Sequence, residues 1–111
     1  MRLSDIKGDR VFDAIADIIE PACSIAADTA ASRAFRPEER PQDMTVQEFA
    51  LKRASEAIPQ LLRGHKDDLV RIFAALNGVT PEEYRERLTL ATLVRDLAEL
   101  MTDEDLKAFL A

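Results

Sequence analysis

The chain contains one cysteine, Cys23, one histidine, His65, and no tryptophan. A single thiol cannot close a disulfide within one copy, and one thiol with one imidazole cannot assemble a Cys/His zinc site. So lean a use of cysteine points to a reducing compartment. Glycine is nearly as scarce, with three in 111 residues and none of them grouped. The glycine-rich loops that cradle phosphates are therefore missing, and neither G-x-S-x-G nor H-E-x-x-H occurs. No apolar run approaches the roughly 20 residues of a membrane span, and Asp5 interrupts the opening segment, which argues against a signal peptide. The expected location is the cytoplasm. Positive charge is in the minority, 15 Lys and Arg against 21 Asp and Glu, for a net charge of -6. That field is opposite to the one that collects phosphates, so nucleic acid is not the expected partner, and neither is a membrane.

What the chain does have is apolar content, 47% against 32% charged residues, enough to fold as one soluble domain over residues 1–111. Alternating apolar and polar runs are lacking while Ala, Leu, Glu, Arg and Asp dominate, which predicts an all-α domain of five to seven short helices. A first helix starts after Gly8 with Asp9 as its cap; Val11, Phe12, Ala14, Ile15, Ile18 and Ile19 are expected on one face, with Asp9, Asp13 and Asp17 opposite. Pro21 predicts a restart or a sharp kink, followed by a close helix contact at Ala22, Ala26, Ala27 and Ala30. The stretch RPEERPQDM reads as an exposed connection. Thr45 with Glu48 opens the next helix as a capping box, Pro59 should interrupt it, and Gly64 should end it. A helix from Lys66 closes at Asn77 and Gly78, and Thr80, Pro81 and Glu83 start a short one through Tyr84 and Leu88. Leu90, Leu93, Val94, Leu97, Leu100 and Met101 form a further stripe, and Thr102 with Asp105 should open a last helix carrying Leu106, Phe109 and Leu110.

Few residues offer chemistry. The three aspartates at four-residue spacing could clamp a divalent cation, yet a solvated helix face explains them as well. His65 lacks a neighbouring nucleophile and reads as a junction or capping residue rather than a general base. Cys23 sits among Ala22, Ser24 and Ile25 and reads as a small buried residue. No catalytic, cofactor or metal-binding residues are assigned. The segment from Lys66 to Leu88, joined by NGVT, has the outline of a helix-turn-helix with Arg85 and Arg87 toward DNA, but Glu82, Glu83 and Glu86 would face the phosphates too. This makes a small DNA-binding regulator the alternative reading. The apolar residues Met101, Leu106, Phe109 and Leu110 are the candidate partner-binding set, able to dock within the chain or onto another protein.

Three segments, RLSDIKGDRVFDAIADIIEP, IPQLLRGHKDDLVRIFAALNGVTPEEY and LVRDLAELMTDEDLKAFL, together resemble the tail assembly chaperones of siphophages and prophages of Gram-positive bacteria. The resemblance lies in the order and texture of segments across most of the chain and is weakest from Ala26 to Arg40. It implies a small, helical, non-enzymatic protein in the cytoplasm of the bacterial host, without cofactors. Its expected client is the phage tape-measure protein, kept soluble while the tail tube forms, with the tail-tube protein as a further contact; self-association of the chain is an expectation beside the resemblance. It also implies a minority product extended by ribosomal frameshifting.

Overall fold

A computed structural model describes residues 5–32, 39–105 and 108. Among these residues there are six helices and no strand: α1 Arg10–Ala27, α2 Thr29–Ser32, α3 Val46–Gly64, α4 Lys66–Asn77, α5 Pro81–Arg87 and α6 Leu90–Thr102. The all-α expectation holds.

Helix α4 is the centre of the core. Its Leu69, Val70, Ile72, Phe73, Ala74 and Leu76 are all buried, because three apolar residues per turn leave little of its surface polar. Helix α1 packs along it through Ala14, Ile18, Ala22 and Ile25, and Leu61 of α3, Tyr84 of α5 and Leu100 of α6 close the remaining sides. The rings of Phe73 and Tyr84 meet at a centroid distance of 5.9 Å.

Helix starts follow local chemistry. Thr45 and Thr80 each accept the amide of the residue three places on, Glu48 and Glu83, satisfying a donor the helix cannot. Thr89 and Thr92 form a reciprocal capping box at the start of α6, which a Thr-x-x-Thr spacing hides because the usual third residue is Glu or Gln. Helix α4 ends as expected at Gly78, whose φ of 70° suits glycine. A Cβ there would also lie 2.9 Å from the Arg10 guanidinium, but that flexible side chain can move aside, so the positive φ is what calls for glycine.

Several expectations need correction. The restart expected at Pro21 does not occur; Pro21 lies buried inside a continuous 18-residue helix, and the packing of its neighbours against α4 outweighs the lost amide bond. Pro59 likewise lies within α3. Asp9 stands at the N-cap of α1, but its side chain makes no capping bond. The last helix opens one residue later than expected: Glu104 and Asp105 are helical, and buried Asp103 accepts the amide of Asp105. Thr102 is instead the last residue of α6, and its hydroxyl donates back to the Ala98 carbonyl. Of the alanines expected at a close contact only Ala22 is fully buried; Ala27 and Ala30 are exposed.

Candidate functional site

Helix α1 carries more apolar surface than the fold can cover. At 100° per residue its apolar positions, from Pro21 round to Ala27, span an arc of about 240°, and the polar residues Arg10, Asp13, Asp17, Glu20 and Ser24 occupy the rest. Only one half of that arc faces α4. The other half leaves Phe12 at 76% and Ile19 at 47% exposure, with Cys23 exposed and Ile15 half-buried beside them. The expected common apolar face is thus divided: Ala14 and Ile18 enter the core, while Val11, Phe12 and Ile19 do not. Cys23 is also placed outside, contrary to its sequence reading, because residue 23 falls on the uncovered side of the arc.

Helix α6 repeats the pattern. Leu100 is buried and Leu93, Leu97 and Met101 pack against the core in part, but Leu90 and Val94 stand 78% and 57% exposed. Arg95 borders this stripe with its guanidinium in solvent. Of the candidate partner-binding set, Met101 is half-buried at the end of the stripe; Leu106, Phe109 and Leu110 lie outside the described residues.

Two buried polar links fasten the frame. His65 sits at the α3–α4 junction, with Nδ1 2.8 Å from Asp68 Oδ2 and Nε2 2.8 Å from Asp28 Oδ2. Asp28 uses its other oxygen, Oδ1, to accept the amides of Ala30 and Ala31, so one carboxylate caps α2 and holds the imidazole. Burial alone would lower the His65 pKa, but hydrogen bonds to Asp68 and Asp28 and their charges prevail and raise it. The same contact, helped by the Ala31 amide, lowers the Asp28 carboxyl to about 2. The junction reading of His65 therefore carries more than expected. Both ring nitrogens are occupied, which leaves neither for proton transfer to a substrate. The second link joins α5 to α6: the Tyr84 hydroxyl donates to Asp96, which is buried beneath Arg95. Burial, reinforced by the hydrogen bond to Asp96, pushes the Tyr84 phenol up.

Asp28, Asp68, Tyr84 and Asp96 escaped the sequence reading. Asp96 had a visible signal, an acid inside the Leu93–Leu97–Leu100 stripe, and Asp68 stands one turn after His65. Asp28 is 37 residues from His65, a separation no local pattern spans.

The Asp9, Asp13 and Asp17 side lies across from the apolar arc, and among the described residues no group of three or more His, Cys, Asp or Glu is placed to hold a metal ion. A shallow groove of about 370 Å³ runs beside it, lined by Arg10, Asp13, Asp17 and Glu83. In the proposed helix-turn-helix region Arg85 pairs with Asp67 and Arg87 lies 3.9 Å from Glu83, so each guanidinium is met by a carboxylate of the chain itself. Among the described residues no helix is long and apolar enough to cross a membrane.

No family model, curated protein or solved structure matches this chain.

Proposed function

We propose that this chain is a non-enzymatic helical binding protein that covers apolar helix surface on a client, and that the client is the tape-measure protein of a long-tailed phage. The uncovered apolar faces of α1 and α6 carry this reading, since exposed apolar stripes rimmed by charge suit the groove-and-helix mode of recognition. A net charge of -6 suits the same task, because it keeps a complex of partly covered apolar helices in solution. The order of segments that resembles tail assembly chaperones supplies the identity of the client, with the tail-tube protein as a second contact and the bacterial cytoplasm as the place.

Co-expression with the tape-measure protein of the same genome tests the proposal. The client is expected to partition into the soluble fraction and to co-purify with this chain. If it stays equally soluble alone and the two never co-purify, the reading fails. A salt-dependent gel shift with duplex DNA separates the regulator alternative, and no retarded band is expected.

A further inference from the structure

We infer that the α1–α2 corner is a proton-controlled latch: while the His65 ring is an imidazolium, Asp28 pins α2 against α3, and loss of one ring proton loosens α2 as a unit with the rest of the fold still packed. The hinge is one residue long. Asp28, extended with ψ of 106°, is the single position between α1 and α2. Its carbonyl accepts the Ser32 amide and its Oδ1 the amides of Ala30 and Ala31, so a turn about Asp28 carries α2 as one body.

Geometry at the ring sets its charge. Both nitrogens lie 2.8 Å from a carboxylate oxygen, Nδ1 from Asp68 and Nε2 from Asp28. A carboxylate only accepts, and a neutral imidazole has one N–H, so a neutral ring would set a lone pair against one of the two oxygens. The closed corner therefore takes the doubly protonated ring. The charges acting on it come from Asp28 at the corner and Asp68 on α4. Helix α3 contributes the uncharged Gln60, whose amide donates to the same Asp28 oxygen at 3.3 Å, and the flanking Arg63 and Lys66 are exposed.

A second observation works against closure. Ser32 on α2 is fully buried, and its hydroxyl meets no hydrogen-bond partner among the described residues. Opening returns that hydroxyl to water, a bias that the charge-assisted bond between Asp28 and His65 offsets. A neutral ring that keeps its N–H toward Asp28 holds the corner by a weaker bond, and one that keeps it toward Asp68 does not hold the corner at all. Deprotonation thus loosens the latch in either tautomer.

Amide exchange of the full chain, followed by NMR as protection factors from about pH 5 to 9, tests the latch. The Ala31 and Ser32 amides are expected to lose protection as His65 titrates, by up to about tenfold per pH unit between the ordinary 6.5 and the raised folded value, and then to level off. Their protection should lie below that of the Phe73 amide and respond little to low urea, since a hinged corner exposes far less surface than unfolding does. His65→Gln should abolish the pH dependence. Ser32→Ala, which removes the orphaned hydroxyl, should raise protection across the corner at every pH and leave the pH dependence in place. Protection at Ala31 and Ser32 that ignores the titration of His65 overturns the inference. So does exchange at those amides with the same rate and urea dependence as Phe73, which would mean that α2 opens only when the whole domain unfolds.

Discussion

Phe73 and His65 show the two ways a single side chain fixes this molecule. Phe73 is among the largest fully buried side chains and touches Tyr84, so its removal opens a cavity where α1, α4 and α5 meet. Phe73→Ala is expected to cost about 3 to 5 kcal/mol, a large share of the 5 to 15 kcal/mol typical of a domain, and urea unfolding measures it directly. That residue was legible from helical periodicity alone. His65 was legible only as a junction, because its partners come from α4 and from the α1–α2 corner. Its role predicts a pH profile. A raised His65 pKa contributes stability that is complete below the usual 6.5 and is lost as pH rises through the folded value; a lowered Asp28 contributes stability present above 3.8 and lost as pH falls toward about 2. Both are complete between about pH 4 and 6.5, so the thermal midpoint should fall on the alkaline side of that window. His65→Gln should flatten this decline. Asp28→Asn should lower the imidazole pKa, read without ambiguity by proton NMR because the chain has one histidine.

At the scale of elements, the starts of α3 and α5 were legible from Thr45 and Thr80, each three residues before a glutamate, and the end of α4 from Asn77 and Gly78. The prolines misled, since a local rule was asked to decide a tertiary question. Pro21 is buried in α1 and sits on the covered half of its arc, where neighbouring contacts hold the helix together. Pro59 has no such burial: it is exposed on α3 and, lacking an N–H, cannot donate to the Ser55 carbonyl one turn back. Pro59→Ala should therefore stabilise the domain, by as much as about 3 kcal/mol if the native geometry is otherwise kept, and a raised thermal midpoint is the measurement. The apolar faces present the same lesson from the other side. Periodicity correctly gathered Phe12, Ile15, Ile19, Leu90 and Val94 onto stripes, but an arc of apolar residues does not say which half the rest of the chain will cover. That choice is made by where α4 lies.

For the molecule as a whole, the topology places the partners of α1 far along the chain. Its main support is α4, roughly 50 residues later at their midpoints, while among the described residues between them none supplies a comparable surface. Synthesis runs at about 5 to 20 residues per second, so the leading helix leaves the ribosome several seconds before its cover exists. During that interval its full apolar arc, and not merely the half that stays open in the finished fold, is available to any holdase at the tunnel exit. Stalled nascent chains truncated before α4 should bind such a holdase strongly, and chains extended beyond Gly78 clear of the tunnel should release it; equal binding to both would show that α1 hides its surface early by some other route. The helix whose apolar arc stays half uncovered in the finished fold is, on this account, more exposed still while the chain is being made.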